Sequence, residues 1–211
     1  MLVREHPSLQ VHVSEIGAPH LVDPARLEAS ARRLYGDTFD VLWGELAPVP
    51  AANVQVVADR ILGLECFPAP GHASHHVVYL APDGTAYAGD AAGVRIQPHR
   101  VVLPPTPPPE LDVDAWRRTI GELERREPAA LALIHFGVAA DPGQHLERLR
   151  AELDRWARLI DLDPTEEEFV QDVRRAVDEE DPGAFEAYDR AMPLWQSYAG
   201  LKRFREKRDR R

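Results

Sequence analysis

The stretch that most constrains the fold is residues 61–90, where short apolar runs alternate with turn residues. Residues 61–67 are largely apolar, and a Pro-Ala-Pro-Gly segment separates them from the apolar residues 77–80. Residues 82–84, Pro-Asp-Gly, have turn chemistry, because proline presets φ and glycine adopts positive φ. Residues 85–88 supply a second short arm. The pattern therefore predicts a strand followed by a β-hairpin.

Polar side chains flank this predicted hairpin. His72, His75 and His76 come shortly before its first arm, and Asp90 follows its second arm. In an antiparallel pair, the start of one strand and the end of its partner lie at the same end of the sheet. Imidazole and carboxylate groups are both metal ligands. The sequence therefore predicts a metal site at this end of the sheet.

These residues carry a resemblance to a known family. The pattern P-G-H-x-x-x-H at residues 70–76, a hairpin, and then G-D at residues 89–90 resembles the metallo-β-lactamase fold family of metal-dependent hydrolases, in its glyoxalase II and lactonase-like forms. The resemblance implies that His72 is a metal ligand and that Asp90 bridges two metals. It also implies that a histidine after a later strand, His135, completes the second metal position.

The resemblance further implies that His76 faces the substrate or supports a metal ligand. A complete family member holds two zinc ions, and histidine and aspartate ligands also suit iron or manganese. In the family an activated water attacks an ester, thioester, lactone or lactam. The family also carries an H-x-H-x-D-H motif early in the chain, and these 211 residues contain none.

The fold implied by the resemblance is a mixed α/β (α+β) four-layer αββα sandwich, N-terminally incomplete. We expect it to occupy residues 1–160, followed by a C-terminal helical extension over residues 161–211. The chain is expected to begin inside a helix of this fold and therefore to be truncated. The strands that contain Ile61 and Val77 are expected at the centre of the second sheet.

Capping residues mark four helix starts. Asp23 and Asp141 each precede a proline, which suits the first helical position. Asp112 precedes an amphipathic stretch, and Thr165 with Glu168 forms a capping box. The final ten residues are rich in Lys and Arg, and we expect a solvated tail there rather than a nucleic-acid-binding arm.

A proline-rich segment, residues 98–109, follows the predicted hairpin and contains six prolines. Proline at this density excludes regular helix and interior strand. Because the segment comes soon after Asp90, one alternative is that it lines a substrate pocket. The other alternative is a stiff surface connection, and the sequence leaves both open.

Four further histidines are expected to play no part in metal binding. His12 lies on a short predicted strand, and His20 precedes a predicted helix. His99, in the proline-rich segment, is expected to be exposed. His145 is expected to be a first-turn or exposed residue of its helix.

Composition limits the classes of function. The net charge of −10 argues against nucleic acid as a partner. The family resemblance implies a small-molecule substrate. The single cysteine, Cys66, excludes a disulfide framework, and no apolar run reaches the roughly 18 residues of a membrane span. We therefore expect a soluble, cytoplasmic protein without a membrane partner. The sequence does not indicate an oligomeric state.

Three functions remain open from the sequence. The first is a metal-dependent hydrolase that is truncated and impaired in this chain. The second is a non-catalytic binding or interaction protein on the same scaffold. The third is a small protein with a single metal held by His72, Asp90 and His135.

Overall fold

The computed structural model describes residues 2–135 and 137–210; Met1, Phe136 and Arg211 lie outside the described residues. The chain forms two compact units, residues 1–61 and residues 62–211. The candidate ligands His72, His76, Asp90 and His135 all lie in the second unit. Within the described ranges, no helix is both long enough and apolar enough to cross a membrane.

The first unit combines short helices with a small parallel sheet. Its elements are α1 (Leu2–Glu5), β1 (Val11–Val13), α2 (Ala18–Val22), α3 (Ala25–Tyr35), α4 (Phe39–Leu42), β2 (Val54–Val56) and β3 (Arg60–Ile61). Strands β1 and β2 pair in parallel. The Asn53 amide donates to the carbonyls of Pro7 and Leu9, which joins the segments that lead into the two strands.

Few apolar side chains of the first unit are buried. Among its described residues, the buried apolar side chains are Val3, Phe39 and Val49. The exposed large apolar side chains are Leu2, Leu9, Ile16, Val22, Leu27, Val41, Leu42, Trp43 and Val56. Since burial of apolar area is the main favourable term in folding, this unit gains little stability from its own core.

The second unit is built around a mixed sheet. Its strands are β4 (Leu64–Pro68), β5 (Val77–Leu80), β6 (Thr85–Tyr87), β7 (Ala130–Leu133) and β8 (Gly137–Ala139). They lie side by side in chain order. Strands β4, β5 and β6 pair antiparallel, β6 and β7 pair in parallel, and β7 and β8 pair antiparallel.

The predicted hairpin is confirmed. Strands β5 and β6 pair, with Tyr79 opposite Tyr87 and Leu80 opposite Ala86. Gly84 closes the turn at a φ of 84°.

The prediction of one continuous strand over residues 61–67, central to the sheet through Ile61, is wrong. Leu62 and Gly63 both adopt positive φ, and this turn separates β3 from β4. Strand β5, which begins at Val77, does lie inside the sheet between β4 and β6.

In the described part of the chain, helices accompany this sheet and share its hydrophobic core. They are α5 (Val113–Arg126), α6 (Pro142–Asp161), α7 (Glu166–Glu180), α8 (Phe185–Ala191) and α9 (Leu194–Arg208). One buried cluster runs from Phe67 in β4 through Trp116 in α5 and Trp156 in α6 to Leu201 in α9. The predicted domain boundary after residue 160 stays a prediction. Side chains on both sides of it belong to this cluster.

The predicted capping residues perform different tasks. The Asp112 carboxylate accepts from the Ala115 amide, and Thr165 and Glu168 form the predicted capping box of α7. Asp141 precedes α6, with Pro142 in its first turn, but its side chain accepts no cap hydrogen bond. Instead, its carboxylate accepts from Arg95 at 2.6 Å. This ion pair ties the start of α6 to the segment after Asp90.

The proline-rich segment is not a surface connection throughout, since residues 101–106 are buried. Thr106 donates through its hydroxyl to the Ser197 carbonyl of α9. A Cβ at Gly200, also on α9, would lie 1.9 Å from the Thr106 carbonyl oxygen. The segment therefore packs directly against α9. The alternative that it lines a substrate pocket stays a prediction.

The basic C-terminal residues are largely helical, which differs from the expected solvated tail. Helix α9 continues to Arg208. Lys207 donates to the Pro109 carbonyl at 2.9 Å, and Arg208 pairs with Asp161 at 2.7 Å. Most of these side chains are exposed, as predicted, but their contacts fasten α9 to the proline-rich segment and to the end of α6.

We predict that Gly200→Ala destabilises the protein by roughly 1–3 kcal/mol, because a new Cβ meets the backbone of residues 106–108 rather than a flexible side chain. The control is Gly121→Ala, inside α5, where the nearest atom is the Arg150 guanidinium at 3.6 Å. That change should stabilise by up to about 1 kcal/mol through helix propensity. Urea unfolding curves measure both. Equal effects would contradict the close packing of α9.

Candidate metal centre

The loop that carries His72 is fixed by its backbone. The Thr119 hydroxyl of α5 donates to the Pro70 carbonyl at 2.6 Å, and the Asp112 amide donates to the Gly71 carbonyl at 2.9 Å. Gly71 has a φ of 147°, and a Cβ there would lie 2.3 Å from Trp116 Cβ. Glycine is therefore required where the loop crosses α5, and His72 follows at once.

His72 itself has a defined orientation. Its Nδ1 lies 2.7 Å from the Pro105 carbonyl oxygen, which only accepts, so Nδ1 carries the proton. Its Nε2 then has a free lone pair and lies 3.7 Å from Asp90 Oδ2. Burial lowers the pKa of His72, and the opposing effect of Asp90 is smaller. At neutral pH the side chain is a neutral imidazole, the form that binds metals.

Asp90 sits on a short 3₁₀ turn, Gly89–Ala92, that directly follows β6. Two buried side chains bind this turn from helices. The Trp116 indole N–H donates to the Ala91 carbonyl at 2.8 Å, and His145 Nε2 contacts the Ala92 carbonyl at 2.7 Å. The turn therefore presents the Asp90 side chain from a fixed backbone.

The Asp90 carboxylate is only partly compensated. Its Oδ1 atom is buried and accepts no hydrogen bond of good geometry from the described residues. His135 Nε2, at 3.3 Å, is within ion-pair distance of it. Burial acts to raise the pKa of Asp90, but the contact with His135 and the electrostatic interaction with the neighbouring imidazoles outweigh it, so the pKa is lowered. The group is an anion at neutral pH.

His76 is the residue immediately before β5, at the same end of the sheet as Asp90. Its ring centroid lies 5.0 Å from that of His72. Ligand atoms of His72, His76 and Asp90 all lie within 4.8 Å of one another, which makes them a group able to hold a metal ion. Burial lowers the pKa of His76 to about 4. Both histidines of this group are thus neutral at pH 7.

His135 reaches the same end of the sheet by a different route. It follows β7, which runs parallel to β6, so the residues after both strands lie at one edge. That pairing brings His135 to Asp90, as the sequence predicted. The assignment of His72, Asp90 and His135 as ligands, with His76 as a supporting residue, stays a prediction. The geometry makes His76 an equal candidate for the third ligand.

The remaining histidines occupy other positions. His12 and His20 belong to the first unit. His99 is only partly exposed, contrary to expectation, because its Nδ1 lies 2.8 Å from Asp181 Oδ2. His145 is in the first turn of α6, as expected, but is fully buried. No sequence pattern indicated that His145 and Trp116 contact the Asp90 turn, because both bind backbone carbonyls, which every residue type carries.

The donor set fits a divalent metal ion. It combines neutral imidazole nitrogens with a carboxylate whose buried Oδ1 lies at ion-pair distance from His135 but accepts no hydrogen bond of good geometry from the described residues. A buried carboxylate is favourable only when it is paired or bound to a cation. The residues that would hold the ion are His72, Asp90 and either His76 or His135. When bound, such an ion supplies Lewis acidity and lowers the pKa of a coordinated water.

Solved structures with the same fold include an archaeal metallo-β-lactamase superfamily protein, ST1585 from Sulfolobus tokodaii. It is 25% identical, with a TM-score of 0.59, and the match covers 70% of this chain and 57% of that one. The metallo-β-lactamase family protein TTHA1429 from Thermus thermophilus is 18% identical, with a TM-score of 0.60 and coverage of 95% and 67%. TTHA1623, solved in a di-iron-bound form, is 22% identical with a TM-score of 0.50, and the match covers 70% of this chain and 67% of that one.

The chain therefore has the metallo-β-lactamase fold, and the resemblance seen in its sequence motifs is confirmed at the level of the fold. It spans 57% of the length of the archaeal protein. No protein-family model matches the sequence, and no curated protein matches it.

We predict that the metal-free protein loses stability as pH falls from about 6.5 to 4. The unfolded chain protonates His76 near pH 6.5, whereas the folded protein does so only near pH 4, so protons favour unfolding in this window. The contribution of His76 is up to roughly 3 kcal/mol at the acid end. Urea unfolding with a chelator present, at half-unit pH steps, measures it.

The control for this measurement is His76→Gln, which removes the titrating group from the same place. Its free energy of unfolding should fall less steeply between pH 6.5 and 4. A variant curve parallel to that of the wild type across the window would contradict the lowered pKa of His76.

Proposed function

We propose that this protein is a metal-dependent hydrolase of the metallo-β-lactamase fold, acting on a small ester, thioester, lactone or lactam. The observation that carries the proposal is the group of His72, His76 and Asp90 at one end of the sheet, where the buried Asp90 Oδ1 accepts no hydrogen bond of good geometry from the described residues. The similarity of fold to metallo-β-lactamase superfamily proteins supports it. Zinc is the proposed metal. Iron and manganese suit the same ligands, and one neighbour was solved with two irons.

The proposed roles follow from the contacts of each residue. His72 offers Nε2 because the Pro105 carbonyl holds its Nδ1 proton. Asp90 provides the anionic ligand, and its two oxygens face His72 and His135. His76 and His135 are the candidates for the remaining imidazole position. All of these groups are positioned by loops on a rigid sheet, which is where catalytic residues commonly lie.

We further propose that residues 1–211 alone are impaired. The H-x-H-x-D-H motif is absent from all 211 residues, and among the described residues the candidate ligands at this centre are His72, His76, Asp90 and His135. A catalytic zinc takes about three protein ligands. Four groups therefore support one ion at most in a catalytic arrangement. Weak metal affinity and no turnover are the expected properties of this chain.

The proposed partner is a small molecule, with neither nucleic acid nor a membrane as a partner, and the proposed location is the cytoplasm. The net charge of −10 supports the exclusion of nucleic acid, whose phosphates need a positively charged surface. The competing proposal is a non-catalytic binding protein on the same scaffold, which the missing motif favours.

Zinc titration of single variants tests the ligand set. We expect His72→Ala and Asp90→Asn to weaken zinc binding by more than the roughly 10–100-fold that loss of a supporting contact causes. The two variants His76→Ala and His135→Ala identify the third ligand, since only loss of a true ligand should match the effect of His72→Ala. His99→Ala, whose imidazole pairs with Asp181, is the matched control and should leave affinity unchanged.

An assay of thioesters, lactones and a β-lactam, with added zinc, tests the proposed impairment. A metallo-β-lactamase with a full ligand set serves as the positive control. Zinc-dependent turnover by residues 1–211 at the rate of the control would contradict the proposed impairment. If Asp90→Asn binds zinc as tightly as the wild type, the hydrolase proposal is lost and the binding-protein proposal gains.

A further inference from the structure

The turn that carries Asp90 is bound from two different helices at consecutive carbonyl groups. Trp116, on α5, donates its indole N–H to Ala91 at 2.8 Å. His145, on α6, contacts Ala92 at 2.7 Å through Nε2. A carbonyl oxygen only accepts hydrogen bonds, so this Nε2 carries the proton. Both side chains and both alanines are fully or almost fully buried.

A histidine is unusual at a fully buried position such as 145. With the proton on Nε2, its Nδ1 must accept, yet Nδ1 is buried and has no hydrogen-bond partner among the described residues. Burying an unsatisfied acceptor is unfavourable. An apolar side chain at position 145 would avoid that cost, but it would leave the buried Ala92 carbonyl without this donor. Among the described residues, the hydrogen bond to the Ala92 carbonyl is therefore the contact that compensates for burying this imidazole.

The rest of the turn has little freedom to adjust. The Gly93 amide donates to the Asp90 carbonyl at 2.9 Å. A Cβ at Gly93 would lie 2.6 Å from Leu149 Cδ1 and 3.0 Å from the Leu103 carbonyl oxygen. The backbone after Asp90 is thus enclosed by α6 and by the segment after the turn. Loss of either side-chain donor is therefore expected to shift the position of the Asp90 carboxylate.

We propose that Trp116 and His145 are positioning residues that set the place of the Asp90 carboxylate by holding the carbonyls of Ala91 and Ala92. The consequence of this positioning is that Asp90 meets a metal ion in a fixed geometry, and that consequence rests on the proposed function. Trp116 also packs under Gly71 and has its ring 5.9 Å from that of His72. It therefore supports the loops of both ligands at once.

The first experiment measures the turn without metal. Trp116→Phe keeps a ring but removes the indole N–H. His145→Met removes the imidazole donor, whereas His145→Gln places an amide N–H near the position of Nε2. We expect the Ala91 and Gly93 amides to exchange hydrogen at least about tenfold faster in Trp116→Phe and His145→Met. His145→Gln should restore slow exchange.

The control for general destabilisation is Leu153→Ala, a buried residue of α6 with no polar contact to the turn. Urea concentration is adjusted so that all variants have equal global stability. Selective acceleration at Ala91 and Gly93 supports the proposal. Equal acceleration in Leu153→Ala, or none in His145→Met, overturns it.

The second experiment measures zinc affinity by competition with a chelating indicator. We expect a loss of roughly 10–100-fold in Trp116→Phe and His145→Met, with recovery in His145→Gln. If zinc affinity stays at the wild-type value in both while Asp90→Asn loses it, the two residues are structural only and the proposal is overturned. If Asp90→Asn itself keeps wild-type affinity, the proposed function fails, and the exchange result alone decides whether the turn is held as described.

Discussion

The candidate metal centre is organised around one anionic carboxylate, that of Asp90, which is partly buried among imidazoles. Asp90 keeps a lowered pKa although it is partly buried, and one of its oxygens has no hydrogen bond from the described residues. Such a group is unfavourable in a protein interior unless it is paired or bound to a cation. The surrounding histidines His72 and His76 are held neutral by burial, so a divalent ion is the partner that this arrangement best fits.

The arrangement of strands explains why these groups meet. Antiparallel pairing of β5 with β6 brings His76 to Asp90, and parallel pairing of β6 with β7 adds His135. A sheet that was antiparallel throughout would place the end of β7 at the opposite edge. Among the described strands β4 to β8, the parallel pair of β6 with β7 therefore helps to gather residues from three separate strand ends.

The segments away from the sheet support the centre through backbone contacts. The proline-rich segment fixes the imidazole of His72 through the Pro105 carbonyl, and α9 in turn packs on that segment at Gly200 and Ser197. The C-terminal helices therefore share the hydrophobic core of the sheet, and α9 stabilises the proline-rich segment that contacts His72. Trp116 links α5 to the Asp90 turn in the same manner.

The sequence by itself determined the hairpin, the caps of α5 and α7, and the motif residues His72, Asp90 and His135, because turn chemistry, capping and short motifs are local. It did not reveal the turn at Leu62 or the burial of His145. The family resemblance gave His76 a supporting role, and the structure places its ligand atom within 4.8 Å of those of His72 and Asp90. The burial of His145 and the meeting of the strand ends depend on contacts between residues that are distant in the chain. Only the tertiary structure decided them, because a backbone carbonyl such as that of Ala92 accepts from any donor that packing brings to it.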